Sequence, residues 1–459
     1  MPGARAAGER ITNQHPTRSG AQSIVRNRGE TVGVVDFGSR EIRVLIARCD
    51  SDGMIQIIGH GTAPGRGCVS QGVIQDLNAA QIALKRALAA AEKEARTTVN
   101  YLFCGVHGKN VETFIREGSV QLTHEVVEHA HMEAAREQAS KDILAPGKRV
   151  TSSINAQEWY VDDHRVLDPL GIRGQTLKTR MHFARLPAVI EDNLGMCIEA
   201  QRRDLEDIIF LPLASALGCM TPEDMELGAA VIDMGRSTTG LAVYRDYRIL
   251  GTNCFEWGGY HLTRDVAAGL QVTFEEADEL ILEYGISDDF IESGVLDSDG
   301  ENIRELVYSV VGDSSEREAR IKLRSAVPGA PPIVERRELD LIIFERAREL
   351  LLKIRQQLEA RGLMKNLVRG VILTGGASQI KNHVQLAESV FQVPCRVGFP
   401  VAVNVLPHAV NNPSFSACAG VARHAFEYRA AARNGRIDPR NGVFSGFRRA
   451  GRALKKYFI

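Results

Sequence analysis

The stretch that decides the fold is Val34-Val35-Asp36-Phe37-Gly38-Ser39, because Val231-Ile232-Asp233-Met234-Gly235-Arg236-Ser237-Thr238 repeats its pattern far along the chain. Each copy is a short apolar strand that ends in Asp and Gly, then a turn with hydroxyl side chains, then a second β-rich strand. Glycine lets the backbone of such a turn come close to a ligand, and the free N–H groups of the turn can face an anion. An Asp at the strand end can hold a hydrated divalent cation, which prefers oxygen ligands. The repeat therefore predicts two facing half-domains that grip one nucleotide between them.

A third stretch distinguishes this arrangement from an ordinary pair of hairpins. Asp and Gly are common turn residues in any hairpin, so one copy alone says little. Val371-Ile372-Leu373-Thr374-Gly375-Gly376-Ala377-Ser378 is a buried strand that runs into a Gly-Gly turn, and actin-like proteins have such a turn under the adenosine, late in their second half. The three stretches in this order predict an α/β protein with the actin-like ATPase fold, in which duplicated RNase H-like halves surround a nucleotide cleft.

The composition is that of an ordinary soluble protein with two or more domains. The chain has 459 residues, of which 44% are hydrophobic and 25% charged, and its formal net charge is −1. Because basic and acidic residues nearly balance, the chain has no overall positive charge, and no nucleic-acid partner is predicted. The N-terminal segment lacks the apolar stretch of a signal peptide, and no run has the roughly 18 apolar residues that cross a bilayer. Scattered cysteines without a C-x-x-C pair are typical of reduced core residues, and we expect a cytosolic protein.

Local patterns predict the elements around the three stretches. Residues 1–29 have no periodicity and are predicted to be a disordered tail, and 98–180 are predicted to be an inserted unit. We expect helices over 78–95 with Asn78 as N-cap, from Thr123 to about Lys141, over 187–204 and from Glu338 to Glu359. Strands are expected over Gln157–Val161, Thr176–Phe183 and Ile208–Leu213. The compact part of the chain is expected to end near Tyr428.

A histidine-rich stretch, His124-Glu125-Val126-Val127-Glu128-His129-Ala130-His131, invites a zinc interpretation that its spacing does not support. A zincin needs the motif HExxH or its inverted form HxxEH, and the stretch contains neither. We interpret it as a solvated helix face. The chain also has no nucleophile elbow and no Walker phosphate-binding motif.

The last residues of the chain form a basic amphipathic pattern. Phe447, Ala450, Leu454 and Phe458 lie on one stripe of a helix. A helix over 445–459 reaches only about 22 Å, less than the roughly 30 Å of the hydrocarbon core, so it can lie in a membrane surface but cannot span it. The residues predicted to bind anionic lipid are Phe447, Arg448, Arg449, Arg452, Leu454, Lys455, Lys456, Tyr457 and Phe458. The alternatives are a helix docked on the protein's own surface and a helix that binds a partner.

Taken together, these patterns resemble the FtsA family, the actin-related proteins of bacterial cell division. The resemblance covers roughly residues 30–425 and the terminal helix. It rests on Val34 to Val44, Asp168-Pro169-Leu170-Gly171-Ile172-Arg173-Gly174, Phe210 to Ala216, Val231 to Val243, Gly258 to Ala267, Leu373 to Ser378, and Leu406-Pro407-His408-Ala409-Val410-Asn411-Asn412-Pro413. The Asp-Pro-x-Gly-x-x-Gly turn and the late Asn-Asn-Pro are more specific than the Asp-Gly hairpins.

The resemblance implies four subdomains around a nucleotide cleft and a set of division partners. The implied units are 1A (30–97 and 181–227), the inserted α+β subdomain 1C (98–180), 2A (228–263 and 367–428), 2B (264–366), a flexible linker (429–443) and a membrane-targeting amphipathic helix (444–459). It also implies a peripheral protein on the cytoplasmic side of the cell inner membrane, at the division septum. There 2B would bind the C-terminal tail of the tubulin-like FtsZ, 1C would contact other divisome proteins, and the protein would self-associate into actin-like filaments.

The resemblance also assigns the nucleotide-binding residues by position. The first phosphate loop would contain Asp36, Gly38, Ser39 and Arg40; the second Asp233, Gly235, Arg236, Ser237 and Thr238; and the adenosine turn Gly375, Gly376, Ala377 and Ser378. The cofactors implied are ATP and Mg²⁺, which Asp36 and Asp233 would hold through water because that ion dehydrates reluctantly.

Several positions depart from the family pattern. Glu41 stands where a Lys is typical, Arg236 and Ser237 replace two glycines of the second loop, and Ala377 replaces a third glycine that is common in the adenosine turn. A lost cation, an added anion and extra side chains beside phosphate all weaken nucleotide binding. The guanidinium of Arg236 suits phosphate and offers a partial replacement. We therefore expect weakened ATP binding and hydrolysis that is very slow or absent, in a structural adaptor rather than an enzyme.

Two other readings of the sequence belong to the same superfamily. A sugar kinase would need a carboxylate base beside a sugar pocket, which spacing does not identify here, and it has no use for the basic terminal helix. A pilus-assembly actin homologue of the PilM type would bind a peptide of an integral-membrane partner rather than lipid. Flotation of the terminal helix with liposomes separates the first interpretation from both.

Overall fold

The computed structural model of the chain describes residues 29–108, 111–122, 124–143, 145–288, 320–324 and 332–435. The predicted tail up to residue 28, the proposed cap Thr123, much of the segment assigned to 2B, most of the linker and the whole terminal helix lie outside the described residues. Among the residues that are described, no helix is long and apolar enough to cross a membrane.

Within the described residues, the strands form three larger sheets and two small pairs. They are β1 (Glu30–Phe37), β2 (Glu41–Cys49), β3 (Ile55–Pro64), β4 (Val69–Ser70), β5 (Val73–Ile74), β6 (Tyr101–Val106), β7 (Glu112–Gln121), β8 (Lys148–Val161), β9 (His164–Val166), β10 (Thr176–Pro187), β11 (Asp204–Phe210), β12 (Ala229–Met234), β13 (Thr239–Arg245), β14 (Arg248–Phe255), β15 (Arg320–Lys322), β16 (Ile333–Glu335), β17 (Val371–Thr374) and β18 (Cys395–Val397).

The helices cover these sheets. They are α1 (Leu77–Ala95), α2 (His129–Ser140), α3 (Ala188–Glu199), α4 (Leu211–Cys219), α5 (Pro222–Leu227), α6 (Gly259–Leu270), α7 (Phe274–Tyr284), α8 (Arg336–Ala360), α9 (His383–Phe391) and α10 (Ser416–Arg433). Short 3-10 turns cover Met364–Asn366, Gly376–Gln379, His408–Val410 and Pro413–Phe415.

The two five-stranded sheets have the same topology. In the first, β1, β2 and β3 are antiparallel neighbours, and β6 and then β11 add parallel to β1. In the second, β12, β13 and β14 are antiparallel neighbours, and β17 and then β18 add parallel to β12. The repeated Asp-Gly stretches are the β1–β2 and β12–β13 hairpins, so the structure confirms the predicted duplication of the halves.

Two helices pack tightly between the halves and hold the sheets in place. A Cβ atom added to Gly218 of α4 would lie 1.8 Å from the carbonyl oxygen of Ser416, and one added to Gly420 of α10 would lie 1.7 Å from that of Ala214. Only glycine permits this approach of two helix backbones. The α4–α10 contact therefore fixes the end of β11 beside the second half, where both hairpins open.

A smaller α+β unit is inserted in the first half. Its sheet has the order β7-β10-β8-β9, and α2 packs on it. Its own small core includes Met132, Trp159 and Leu177. Polar contacts tie it to β14 of the second half: Arg180 Nη1 donates to the carbonyl oxygen of Ile249 at 3.2 Å, and His182 Nε2 lies 2.7 Å from Thr252 Oγ1.

Two predicted helix starts are wrong. Helix α1 begins at Leu77 rather than 78, because the Asp76 carboxylate accepts the backbone N–H of Ala79 at 2.9 Å and caps the helix in place of Asn78. Helix α2 begins only at His129. Before it, His124 and Glu125 lie in a turn, in which Glu125 has φ +55°, and Val126 pairs with Arg173 in an isolated β-bridge.

Other predicted boundaries also lie elsewhere. The helix expected over 187–204 ends at Glu199, and the strand expected over Gln157–Val161 begins at Lys148. The strand expected over 208–213 ends at Phe210, because Pro212 occupies the first turn of α4, a position that favours helix initiation. Helix α10 continues past Tyr428 to Arg433. Ion pairs hold its last turns. Arg429 Nη2 lies 2.5 Å from Glu206 Oε2, and Arg433 Nη1 lies 2.8 Å from Glu30 Oε2.

Candidate functional site

The two hairpins and the Gly-Gly turn open into one cleft between the halves. The cleft encloses about 1070 Å³, including the part open to solvent. The residues that the sequence assigned to a nucleotide and that line it are Asp36, Gly38, Ser39, Arg40, Asp233, Gly235, Arg236, Ser237, Thr238, Gly375, Gly376 and Ala377. Ser378 is buried behind this wall, where its hydroxyl donates to the carbonyl oxygen of Gly375 at 2.7 Å. Residues from widely separated parts of the sequence thus share one cavity.

The first loop is anchored within its own half. Asp36 is only 5% exposed, and its Oδ2 lies 3.4 Å from Arg43 Nη1. Arg43 Nη2 in turn donates to Glu41 at 3.2 Å. The acidic residue that departs from the family pattern is therefore paired with a neighbouring arginine on the same strand, rather than directed at a ligand.

The second loop begins with an aspartate whose pKa is shifted by its surroundings. The hydroxyl of Ser215, on α4, donates to Asp233 Oδ2. Burial raises the pKa of Asp233 to about 6; the Ser215 hydrogen bond and Arg43 oppose this shift, and the charge of Asp36 adds to it. Near neutral pH this carboxylate is ionised, but it protonates in mildly acidic solution.

The two aspartates suit a hydrated cation. Asp36 Oδ1 is buried and has no hydrogen-bond partner among the described residues, so it is available to a water bound to an ion. In the part of the chain that the structure describes, no group of three or more His, Cys, Asp or Glu side chains could hold a metal. Mg²⁺ is commonly held by one or two carboxylates with several waters. The residues present therefore fit Mg²⁺ between Asp36 and Asp233, held mainly through water.

The Gly-Gly turn lies directly against the second aspartate. Gly375 has φ +83°, and a Cβ atom there would lie 2.3 Å from Asp233 Oδ1 and 2.7 Å from the carbonyl oxygen of Met234. A side chain at this position would therefore strain the backbone and displace the carboxylate. Gly376 has nothing within 4 Å of its added Cβ, so its face is open to a ligand.

Arg236 is engaged by a carboxylate that sequence reasoning missed. Its Nη1 lies 2.9 Å from Oδ2 of Asp278 on α7, and its guanidinium lies 5.4 Å from the ring centre of Tyr260. Asp278 also accepts the hydroxyl of Thr263 at 2.5 Å. The only sequence signal for Asp278 is the acidic start of its helix, where Glu275 and Glu276 precede it. The arginine predicted to reach phosphate is therefore held to the side wall of the cleft.

A second missed residue faces the same loop from the first half. His107, which follows β6, places Nδ1 2.9 Å from Thr238 Oγ1. Burial lowers the pKa of His107, and the charge of Asp36 opposes this shift. A neutral imidazole is therefore favoured here, and it can act as donor or acceptor toward the second loop. Nothing in the sequence around 107 carried a recognisable signal.

Duplicated sheets that meet at a cleft lined by two Asp-Gly hairpins define the actin-like ATPase fold. Solved structures agree on the fold. The chain superposes on the PilM–PilN type IV pilus biogenesis complex with a TM-score of 0.53 and 16% identity, covering 87% of this chain and 98% of that chain. It superposes on MreB 5 of Spiroplasma citri bound to AMPPNP with a TM-score of 0.50 and 14% identity, covering 88% of this chain and 99% of that chain.

Sequence comparison identifies the family within this class. The family model of the cell division protein FtsA matches residues 230–420, and that of the SHS2 domain inserted in FtsA matches residues 108–184. The cell division protein FtsA of Neisseria meningitidis is 27% identical, covering 90% of this chain and 94% of its own length. That of Agrobacterium fabrum is 28% identical, covering 94% of this chain and 96% of its own length. The chain belongs to the FtsA family.

Proposed function

We propose that this chain is a division protein that binds ATP and tethers FtsZ filaments to the cytoplasmic face of the inner membrane at the septum. Its membership of the FtsA family supports the role in division. The single observation that carries the nucleotide proposal is that two phosphate-type loops and a Gly-Gly turn line one cleft.

In this proposal the cleft holds the nucleotide between its halves. The phosphates lie between the β1–β2 and β12–β13 loops, the adenosine lies against the turn at 375–378, and Asp36 and Asp233 hold Mg²⁺ through water. MreB 5 of Spiroplasma citri, which has this fold, is bound to AMPPNP. Because Arg236 is paired with Asp278, it contributes little to the phosphates. ATP binding is therefore weak, and the protein works as an adaptor whose ATP hydrolysis is very slow or absent.

The terminal residues supply the membrane contact. Residues 444–459 combine an apolar stripe that contains Phe447, Leu454 and Phe458 with a basic remainder. Each basic residue near an anionic surface contributes about 1 kcal/mol, and buried aromatic residues add to this. The helix therefore holds the protein on anionic phospholipid reversibly, without crossing the bilayer.

The remaining surfaces serve protein partners. The segment 264–366 binds the C-terminal tail of FtsZ, and the inserted unit binds other divisome proteins. Copies of the chain associate into actin-like filaments. The division of labour is supported by the architecture, since α7 and α8 both pack on α6 beside the second sheet and the inserted unit has a separate core.

Co-sedimentation with phosphatidylglycerol vesicles tests the tether. The full chain should sediment with the vesicles and recruit a fluorescent peptide with the sequence of the FtsZ tail. A chain truncated after Asn441 should do neither, while still binding the peptide in solution. Equal sedimentation of the full and truncated chains would contradict the proposed anchor and favour a PilM-like role through a membrane protein.

A matched pair of variants separates charge from hydrophobic anchoring. Replacing Arg448, Arg449, Arg452, Lys455 and Lys456 by Gln should abolish binding to anionic vesicles at low salt. Replacing Arg429 and Arg433 by Gln, in the helix before the terminal segment, should leave vesicle binding unchanged. Vesicle binding that ignores the first set of changes would show that the basic residues are not the contact.

A further inference from the structure

The second phosphate loop is tied to the opposite half by the side chain of Ser237. Its Oγ lies 2.6 Å from Oγ of Ser39 in the first loop, and it accepts the backbone N–H of Gln71, in the turn between β4 and β5, at 2.9 Å. Both partners belong to the first half. Ser237 is only 8% exposed, and both contacts are partly buried in the lining of the cleft.

The residues on either side of Ser237 also lead across the cleft. Thr238 meets His107 of the first half at 2.9 Å. Arg236 binds Asp278, and Asp278 is also paired with Arg66, which lies after β3 in the first half. Three consecutive side chains of one loop therefore connect the halves, and moving the halves apart would break these contacts together.

The contact between the two hydroxyls limits what can lie between the loops. A hydroxyl donates to a phosphate oxygen at roughly 2.7 Å. Two hydroxyls that both donate to one phosphoryl group no longer donate to each other, so Ser39 and Ser237 must move apart from their 2.6 Å contact to hold it. The last phosphate of a nucleotide is the one farthest from the adenosine turn, and it would enter between Ser39 and Ser237. In the proposed binding mode a third phosphate would therefore break the contact, whereas a chain of two phosphates would end before it.

We infer that Ser237 makes this cleft prefer a nucleoside diphosphate to the corresponding triphosphate. The inference rests on the proposed nucleotide site and adds a specificity to it. It also connects to the sequence, because Ser237 stands where the resemblance places a glycine. Glycine has no hydroxyl, so it makes neither the contact with Ser39 nor that with Gln71.

Calorimetric titration of the full chain with Mg·ADP and with Mg·AMPPNP, which resists hydrolysis, tests the preference. The unmodified chain should bind the diphosphate at least about tenfold more tightly, the ratio expected from losing the two partly buried hydrogen bonds of Ser237. Ser237→Gly should bring the two affinities to within about threefold, chiefly by strengthening triphosphate binding.

Two further variants keep the result interpretable. Ser237→Ala removes the hydroxyl without adding backbone freedom and should shift the ratio in the same direction. Ser70→Ala removes an exposed hydroxyl beside the Gln71 turn, outside the cleft lining, and should leave the ratio unchanged. Thermal melting shows that each variant is folded.

The outcomes separate this inference from the proposed site itself. Equal affinities in the unmodified chain, tighter triphosphate binding, or a ratio that Ser237→Gly and Ser237→Ala leave unchanged would overturn the preference while leaving the nucleotide site in place. Binding of neither nucleotide at millimolar concentration would overturn both, because the cleft would then not be a nucleotide site.

Discussion

The two halves of this molecule have the same sheet but use their loops differently. In both, a strand ends in Asp and turns back through a glycine into an antiparallel partner. The first loop directs its charge inward, since Asp36 pairs with Arg43 of the next strand. The second directs Arg236, Ser237 and Thr238 outward to Asp278, Ser39 and His107. The two loops therefore share a backbone geometry but differ in their side-chain contacts. The charged side chains of the first loop stabilise its own hairpin, whereas three consecutive side chains of the second loop connect the halves, one of them through Ser39 of the first loop.

The largest effect is expected at Gly375, in the Gly-Gly turn that lies against Asp233 of the second loop. Gly375→Ala should lower the free energy of unfolding by about 2–3 kcal/mol, because the new methyl group meets a positive φ and a nearby backbone. It should also weaken ADP binding at least about tenfold, since Asp233 must move. Thermal melting and calorimetric titration measure the two effects.

Gly376→Ala is the matched control for that substitution. Its added methyl group meets nothing within 4 Å, so stability should change by less than about 0.5 kcal/mol. Similar losses of stability in the two variants would show that Gly375 does not lie against Asp233.

An effect of intermediate size is expected from the dependence of ADP binding on the ionisation of Asp233. The pKa of Asp233 is raised to about 6 by burial, so its carboxyl group is increasingly neutral below that pH and holds a cation poorly. Magnesium-dependent ADP binding should therefore strengthen as the pH rises from 5 to 7.5. The affinity one pH unit below the pKa should be about tenfold lower than the affinity well above it. Titrations at several pH values in constant Mg²⁺ provide the measurement.

Asp233→Asn reveals how much of this pH dependence belongs to the ligand. The variant should bind more weakly at every pH and show only the dependence that protonation of ADP itself produces. An unchanged profile in Asp233→Asn would mean that another group titrates, and the assignment of the cation to Asp233 would fail.

The smallest effect should come from the exposed end of the contacts between the halves. Arg66 pairs with Glu275 at 2.7 Å and with Asp278, but its side chain is 38% exposed. Ion pairs of this exposure contribute about 0.2–1 kcal/mol and are weakened by salt. Arg66→Ala should therefore lower stability by no more than about 1 kcal/mol, and the difference should shrink in high salt. A loss of stability above about 2 kcal/mol that salt does not reduce would show that Arg66 contributes more than Ser237 to the contacts that hold the two halves together.

The sequence predicted the parts of this molecule that depend on local pattern. Short apolar strands with Asp-Gly ends and a Gly-Gly turn are local features, and the structure confirms both hairpins and the strand over Val371–Thr374. Boundaries were less accurate where two neighbouring residues could do the same task. Asp76 and Asn78 are both good N-caps, and only the folded backbone shows that Asp76 is used.

The residues that sequence reasoning missed are those whose roles depend on distant partners. Asp278 looks like an ordinary acidic residue near the start of α7, yet it binds Arg236 and Thr263. His107 follows a strand without any motif, yet it reaches Thr238. Such contacts arise when separate elements are brought together by packing, so no periodicity or spacing within one segment announces them.

A crystal structure of the full chain grown with Mg·ADP tests the central claim, that the two repeated loops form one nucleotide site. Density is expected for the phosphates between the loops of Asp36 and Asp233, for the adenosine against the turn at Gly375, and for a hydrated ion whose waters contact both carboxylates. Nucleotide density on another surface, or phosphates contacted by only one of the two loops, would contradict it.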